Sequence, residues 1–322
     1  MTRPATDAVR HHATDPGRRA TEQTDPGRRA TEQTDPRYRA IDRLPTEEIA
    51  GLMNAADATV PAAVASQLPQ ISAAIDEITT RLRQGGRLLY IGAGTSGRLA
   101  VLDASECPPT FGTSPETVQG VIAGGPEALI RSVEGAEDDA EAGRTAIATH
   151  AVGPGDAVVG ISAAGRAPYV VAAVTAARSR GAYTVGLSCN ESTPLSAAAD
   201  QPIEVITGPE IVTGSTRLKA GTAQKLVLNM ISTITMIKCG RTFGNYMIEV
   251  SATNNKLADR ATRIVADITG TDPQTAKEAL EAADNEVKTA ILMIEHTLPP
   301  QAARHHLAAS GHNLTTALTT RT

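Results

Sequence analysis

The sequence predicts an α/β fold in which a mainly parallel sheet is covered by helices on both faces. Five short apolar runs bounded by turn residues predict strands, and they lie at residues 87–91, 118–122, 158–161, 184–187 and 203–206. Segments of helical length separate these runs, and alternating strands and helices favour parallel pairing through crossover helices. Aromatic residues make up only 2% of the chain, so the core must be built from aliphatic side chains.

The first 43 residues are predicted to form a repetitive, largely disordered tail. A ten-residue period is visible in HATDPGRRA, TEQTDPGRRA and TEQTDPRYRA. This composition of Pro, Gly and Arg is too polar to bury a core. The alternative is a nucleic-acid-binding arm, because Arg18, Arg19, Arg28 and Arg29 are regularly spaced. Acidic residues between these arginines favour the plain tail.

Residues 44–268 are predicted to form the main domain. Ile71, Ile75 and Ile78 fall on one face of a helix that ends at Gly85-Gly86, directly before the first strand. Further helices are predicted from the periodicity of apolar residues, at residues 168–180, 221–238 and 250–268.

Residues 269–322 are predicted to form a small C-terminal domain of three helices. The helical patterns cover residues 273–280, 286–295 and 302–309, with breaks at Asp284-Asn285 and Pro299-Pro300. No chemical motif is recognisable in this region.

Charge and cysteine content exclude several functional classes. The net charge of −5 argues against general affinity for nucleic acid or an anionic membrane. The three cysteines, Cys107, Cys189 and Cys239, are widely spaced and predict neither a disulfide framework nor a metal site. Without a long apolar run or a signal-peptide pattern, the chain is expected to be soluble and cytoplasmic, with a small molecule as its ligand.

Three loops that follow predicted strands are candidate anion-binding sites, because ligands of parallel sheets bind beyond the carboxyl ends of the strands. The first loop, residues 92–97, offers small residues and hydroxyls, with Gly94, Thr95, Ser96 and Gly97 as candidate ligands. A purely structural turn is the alternative. Gly92, Gly94 and Gly97 also match the GxGxxG spacing of dinucleotide sites, but no acidic residue ends the second strand to hold a ribose.

The second loop, residues 160–166, and the third loop, residues 208–217, resemble the first in composition. The second offers Ser162, Gly165 and Arg166 as candidate phosphate ligands. The third offers Glu210, Ser215 and Thr216 ahead of a long helix. Loops of this kind around one crevice suit a sugar phosphate.

Two glutamates are candidates for proton transfer. Glu106 lies in DASECPP, two residues before a Pro-Pro pair that is expected to break the helix. Glu137 lies in VEGAED, three residues after Glu134. For each glutamate the alternative is a solvated surface acid. The histidines have no metal-ligand spacing and are given no functional role.

Taken together, these stretches resemble the N-acetylmuramic acid 6-phosphate etherases, a family of the sugar isomerase (SIS) superfamily. The resemblance runs from about residue 31 to beyond residue 294. The most specific stretches are IGAGTSGRLAVLDASECPPTFG, IAGG followed by VEGAEDD, VVGISAAGRAPYV, TVGLSCN and TGSTRLKAGTAQKLVLNM.

The resemblance implies an α-β-α sandwich around a five-stranded parallel sheet and a homodimer. It further implies a carbon–oxygen lyase that converts N-acetylmuramic acid 6-phosphate and water into N-acetylglucosamine 6-phosphate and D-lactate, in the recycling of cell-wall amino sugars. No metal or organic cofactor is implied. By resemblance Glu106 is the acid that protonates the departing ether oxygen, and Glu137 is the second catalytic glutamate. We assign Glu137 as the base for the C2 proton, and the reverse assignment stays open.

One departure from the family pattern lies in the second loop. Where the family commonly has ASGRTPY, this chain has AAGRAPY, so Ala164 and Ala167 replace a serine and a threonine. This loss leaves open a second function, a non-catalytic sugar-phosphate-binding regulator of the same fold. A third alternative, an aldose–ketose isomerase, has no need for both glutamate stretches.

Overall fold

The computed structural model describes residues 29–249 and 255–320. Within these residues the strands are β1 (Leu88–Gly92), β2 (Val118–Ile122), β3 (Ala157–Ile161), β4 (Tyr183–Ser188), β5 (Gln201–Glu204), β6 (Thr242–Phe243) and β7 (Tyr246–Met247). The helices of the larger part are α1 (Thr46–Asp57), α2 (Val60–Ala65), α3 (Leu68–Arg83), α4 (Gly94–Phe111), α5 (Ala140–Thr149), α6 (Pro168–Ser179), α7 (Pro194–Ala198) and α8 (Lys219–Lys238). Towards the C-terminus follow α9 (Asn255–Thr269), α10 (Pro273–Ala282), α11 (Val287–His296), α12 (Pro300–Ala309) and α13 (Leu314–Thr319).

A five-stranded parallel sheet forms the centre of the molecule, which confirms the predicted fold class. Its strand order is β2-β1-β3-β4-β5, and β1 pairs with β2 on one side and with β3 on the other. The two middle strands β1 and β3 are buried along their whole length, as expected for parallel strands covered on both faces. β6 and β7 form a separate antiparallel pair.

The fifth strand differs most from its predicted position along the chain, by two residues at each end. The apolar run at residues 203–206 predicts a strand there, but β5 covers Gln201–Glu204 and begins with two non-aliphatic residues. Pro202 is tolerated because β5 is an edge strand that pairs with β4 alone.

Helices cover both faces of the sheet and bury alternate residues of each strand. Leu88 and Tyr90 of β1 join the hydrophobic core that contains α2, α3, α4 and α8. Leu89 and Ile91 point to the other face and join the core that contains α5, α6 and α7. This alternation produces the α-β-α sandwich.

The C-terminal helices share a hydrophobic core of their own with α9 and with the β6–β7 pair. The sequence analysis predicts three helices after residue 272, and the structure has a fourth, α13. In α13 only Leu314 and Ala317 are buried, so the sequence of this short helix shows little apolar periodicity. Asn313 nonetheless caps α13 by accepting a hydrogen bond from the Thr316 amide at 3.0 Å.

The Pro-Pro pair does not break α4, contrary to the prediction. Pro108 and Pro109 lie in the last turn of the helix, which continues to Phe111. Each proline lacks an amide hydrogen, so the helix loses the bonds to the carbonyls of Ala104 and Ser105, and only two helical residues follow the pair. Gly112, with φ +59°, then ends the helix and donates its amide to the Pro108 carbonyl.

Residues 29–43 are packed against the body of the molecule, although the sequence analysis assigns them to the tail. They form three short 3-10 turns, at Ala30–Glu32, Pro36–Tyr38 and Ile41–Arg43. Thr31, Asp35 and Tyr38 are buried. The other residues of the predicted tail, 1–28, lie outside the described residues.

Candidate active site

The strand order reverses between β1 and β3, and the loops that follow these two strands border one cavity. Such a switch point is where open parallel sheets form a ligand crevice. The cavity has a volume of ≈ 650 Å³, and residues of all three predicted loops line it. Of the predicted ligands, those that line it are Gly94, Thr95, Ser96, Ser162, Arg166, Thr216 and Glu137.

In the first loop Gly94 and Gly97 have different structural roles. Gly94 adopts φ +53° and starts α4, so the first amides of that helix face the cavity end of the strand. Gly97 does not line the cavity. A Cβ at this position would lie 2.5 Å from Ile122 Cγ1, so the glycine allows α4 to pack closely on β2.

Ser96 has a buried partner that the sequence analysis missed. Its Oγ donates to Gln224 Oε1 at 2.9 Å, and Gln224 lies on α8 with 1% exposure. The Gln224 amide nitrogen has no partner among the described residues. The sequence contains a signal for this contact, because Gln224 lies between Ala220 and Val227 on the apolar face of α8. A buried polar side chain at such a position needs a hydrogen-bond partner.

The second loop contains a tight turn closed by the Gly165 amide, which donates to the Ser162 carbonyl at 2.9 Å. Gly165 has φ +66° and does not line the cavity, and a side chain is excluded here because a Cβ would meet the Thr193 side chain at 2.5 Å. Ala164 and Ala167, the two departures from the family pattern, do line the cavity. The missing hydroxyls are therefore missing from the cavity wall itself.

The third loop contributes Thr216 but not its other two predicted ligands. Ser215 does not line the cavity. Glu210 is fully buried, and its carboxylate accepts the amides of Lys219 at 3.0 Å and Ala220 at 2.9 Å. Glu210 therefore caps the N-terminus of α8, where a negative charge is favourable. This predicted substrate ligand is a helix cap in the structure and does not line the cavity.

Glu137 lies at the junction of two recesses. It is exposed, lies in a short 3-10 turn at Ala136–Asp138 and lines the main cavity together with Asp138. It also lines a smaller recess of ≈ 220 Å³, and Arg98 and Arg131 line the same recess. A carboxylate in this position can reach a ligand held by the first and second loops.

Glu106 is not brought to this cavity within one chain. It is exposed on α4, twelve residues after Gly94. At about 1.5 Å rise per residue, this places it about 18 Å further along the helix axis than the loop that lines the cavity. The two predicted catalytic glutamates are thus separated in a single chain.

Burial shifts the pKa of several side chains in the described part of the chain. It raises the pKa of the Cys189 thiol to about 12, with a smaller contribution from Glu210. Burial likewise raises the pKa of Cys107 to about 12. Both therefore stay thiols at neutral pH and are poor nucleophiles. Burial also lowers the pKa of Lys219, against the carboxylates of Glu210 and Asp35, and its Nζ donates to the Thr207 carbonyl at 2.7 Å.

A larger cavity of ≈ 1040 Å³ lies between the end of α8 and the C-terminal helices. Cationic side chains that line this cavity form ion pairs with carboxylates that also line it. Lys288 contacts Glu249 at 2.5 Å, and Arg304 contacts Asp284 at 2.6 Å and Glu286 at 2.8 Å. This cavity contains none of the predicted site residues.

The described part of the chain contains neither a metal-binding cluster nor a membrane-spanning helix. Across residues 29–249 and 255–320, no three His, Cys, Asp or Glu side chains are grouped so that they could hold a metal ion. Within the same residues no helix has both the length and the apolar character needed to cross a membrane.

Comparison with family models and curated proteins identifies close relatives. A model described as the glucokinase regulatory protein N-terminal SIS domain matches residues 70–178, and the SIS domain model matches residues 141–234. An N-acetylmuramic acid 6-phosphate etherase from Streptomyces coelicolor is 58% identical over 86% of this chain and 89% of its own length. One from Streptomyces avermitilis is 59% identical over 84% of this chain and 88% of its own.

Among solved structures, a phosphoheptose isomerase from Francisella tularensis is similar over 60% of this chain and 100% of its own. The TM-score is 0.48 and the sequence identity is 16%.

Proposed function

This chain belongs to the N-acetylmuramic acid 6-phosphate etherase family, and from that premise we propose how it cleaves the lactyl ether of N-acetylmuramic acid 6-phosphate. The observation that carries the proposal is the shared cavity, in which three loops suited to a phosphate lie beside the carboxylate of Glu137. Backbone amides at the start of α4, together with Thr95, Ser162, Arg166 and Thr216, would bind the phosphate.

Two carboxyl groups are sufficient for the chemistry. In the open-chain sugar the aldehyde acidifies the C2 proton, and the lactyl ether at C3 is a leaving group in the β position. We assign Glu137 as the base that takes the C2 proton and Glu106 as the acid that protonates the ether oxygen as the C3–O bond breaks. D-lactate leaves, and the ionised Glu106 then takes a proton from the water that adds to C3, while the protonated Glu137 returns its proton to C2. The products are N-acetylglucosamine 6-phosphate and D-lactate.

A second copy of the chain would complete the site. Glu106 lies about 18 Å along α4 from the cavity of its own chain at about 1.5 Å per residue. It shares an exposed helix face with Leu102, which is 43% exposed. Nearby, Arg98 Nε donates to the Leu129 carbonyl at 3.1 Å and holds a loop whose Ile130 is 83% exposed. This apolar surface favours a homodimer in which one protomer supplies Glu106 to the cavity of its partner.

We also propose that the enzyme acts in the cytoplasm, in the recycling of cell-wall amino sugars. A sugar phosphate is charged and does not cross a bilayer unaided, so the enzyme and the kinase or transporter that phosphorylates the sugar must share a compartment. The relatives give no support to the alternative of a non-catalytic regulator.

The decisive experiment follows D-lactate release from N-acetylmuramic acid 6-phosphate in 18O-labelled water. Elimination followed by hydration predicts one 18O atom in the amino-sugar product and none in the lactate. Glu106→Gln and Glu137→Gln are expected to lose at least about 100-fold in kcat, the usual range for removal of an acid or base. Glu141→Gln is the matched control, because Glu141 is exposed and pairs with Arg144 on the surface of α5.

Label in lactate would show cleavage on the lactyl side and would refute the elimination route. A wild-type protein that binds the sugar phosphate without releasing lactate would be a regulator. Full activity in either glutamine variant would remove that residue from the mechanism.

A further inference from the structure

Residues 29–36, here called the docked segment, lie against the second loop of the cavity. Thr31 is fully buried, and its amide donates to Asn190 Oδ1 at 3.2 Å. In return Asn190 Nδ2 donates to Thr31 Oγ1 at 3.0 Å. These two bonds join residues 159 positions apart and determine the orientation of the Asn190 amide.

The docked segment reaches two successive carbonyls of the second loop. Asn190 Nδ2 also donates to the Ala163 carbonyl at 3.0 Å. Arg29 Nη1 donates directly to the next carbonyl, that of Ala164, at 3.0 Å. Asn190 is only 2% exposed, so water competes little for these bonds.

The peptide between Ala163 and Ala164 is the central peptide of the turn that Gly165 closes on Ser162. The carbonyl and the amide of a planar trans peptide point in opposite directions. Because Asn190 and the Cys189 amide both hold the Ala163 carbonyl, the Ala164 N–H is turned away from them. No acceptor for this N–H is found within the described residues, and both alanines line the cavity.

We propose that Arg29, Thr31 and Asn190 are positioning residues that orient the Ala164 N–H as a donor to the phosphate of the substrate. The inference rests on the proposed function of the same cavity. The backbone donor matters here because Ala164 and Ala167 offer no hydroxyl to the cavity. The guanidinium of Arg29 adds a positive charge beside the same loop.

The sequence repeat offers an internal control for this proposal. The eight residues RATEQTDP occur twice, at positions 19–26 and 29–36. The second copy is the docked segment, in which Arg29 and Thr31 make the contacts described above. Arg19 and Thr21 are the matching residues of the first copy.

The test compares Arg29→Ala, Thr31→Val and Asn190→Asp with Arg19→Ala, Thr21→Val and Thr34→Val. Thr34 lies in the docked segment but is exposed. The full-length variants are assayed for kcat and KM, for inhibition by inorganic phosphate and for thermal stability. Inorganic phosphate binding is also measured by calorimetry, which needs no turnover.

We expect the three positioning variants to raise KM and the phosphate inhibition constant together by about 10- to 100-fold, the effect of one lost hydrogen bond to a charged group. Their kcat should stay within about twofold, because the acid and the base are untouched. Arg29→Lys should recover part of the affinity, since an ammonium group can still donate to the Ala164 carbonyl. The three control variants should match the wild type.

A fall in thermal stability with unchanged KM and phosphate affinity would make the docked segment purely structural and overturn the proposal. Equal effects from Arg19→Ala and Arg29→Ala would also overturn it. If Thr31→Val does not fold, Arg29→Ala still decides, because Arg29 is only half-buried. A wild type that binds phosphate but releases no lactate would refute the proposed function, while the calorimetric comparison would still test the positioning residues.

Discussion

Arg87 and Asp156 form a bidentate ion pair that joins the beginnings of β1 and β3. Arg87 Nη2 lies 2.7 Å from Asp156 Oδ2, and Arg87 Nε donates to Oδ1 at 3.0 Å. The same carboxylate also accepts the amides of Arg87 at 3.1 Å and Gly153 at 3.0 Å. The pair lies at the end of the sheet opposite to the cavity and holds β1 and β3 together where the strand order reverses.

This pair predicts a pH-dependent contribution to stability. Burial raises the pKa of Asp156, but hydrogen bonds from Arg87 and Gly153 outweigh it, so the net pKa lies below the usual value. A depressed folded-state pKa stabilises the protein above the unfolded value of about 4, and this contribution is lost as the pH falls through the folded pKa. Asp156→Asn should therefore lower the free energy of unfolding at pH 7 by about 1–3 kcal/mol.

Urea unfolding of wild type and Asp156→Asn at pH 7 and at pH 3.5 measures this effect. The gap between them should be smaller at the lower pH. An equal gap at both values would show that Asp156 acts through packing and not through its charge. Asp284→Asn is a suitable comparison, because Asp284 pairs with Arg304 while its side chain is 81% exposed, and such pairs contribute less than about 1 kcal/mol.

Glu210 is predicted to stabilise the start of α8 without binding the substrate. Glu210→Ala removes the acceptor for two buried amides and should lower the free energy of unfolding by about 1–3 kcal/mol. Glu210→Gln keeps one acceptor oxygen and should cost less. KM measured for Glu210→Gln should remain within about twofold of the wild type. A raised KM with unchanged thermal stability would instead identify Glu210 as a substrate ligand.

The proposed composite site predicts complementation between two inactive variants. In a mixture of Glu106→Gln and Glu137→Gln chains, each mixed dimer would contain one site with both glutamates. Random pairing makes half of the dimers mixed, and one of their two sites is intact, so the activity should reach about a quarter of the wild type.

Co-expression with two affinity tags allows the mixed dimer to be isolated and assayed. A mixed dimer as inactive as its parents would show that both glutamates must lie in the same chain. The control replaces one parent with the Glu106→Gln, Glu137→Gln double variant. Its mixed dimer with either single variant has no site with both glutamates, so no activity should be recovered.

Ala167→Thr should improve both stability and affinity. Ala167 is the N-cap residue of α6 and makes no side-chain cap. A threonine at this position typically stabilises a protein by about 1 kcal/mol, which raises the melting temperature by a few degrees. The hydroxyl would also face the cavity that Ala167 lines, so KM should fall. Higher stability with unchanged KM would mean that the hydroxyl serves only the helix.

Local patterns predicted most of the sheet because the strands are short, apolar and separated by turn residues. The predicted run at residues 118–122 coincides with β2, and the runs that predict β1, β3 and β4 differ from these strands by no more than one residue at each end. The helices that the sequence analysis did not delimit, α1, α2, α5 and α7, are short or carry weak apolar patterns. The prediction did not extend α4 through Pro108 and Pro109. The helix continues because both prolines lie in its last turn, and the residue types alone do not reveal that position.

For the site, the sequence by itself determined the chemical groups and the loops that carry them. The loops after β1 and β3, the family membership and the carboxylate of Glu137 were all readable from residue order, because a strand followed by small residues and a helix encodes its own local geometry. The tertiary structure alone decided which side chains meet. It buried Glu210 under α8, paired Ser96 with Gln224, and brought Thr31 to Asn190. It also left Glu106 away from the cavity of its own chain. These outcomes depend on packing between residues more than a hundred positions apart in most cases, where no local period or spacing carries the information.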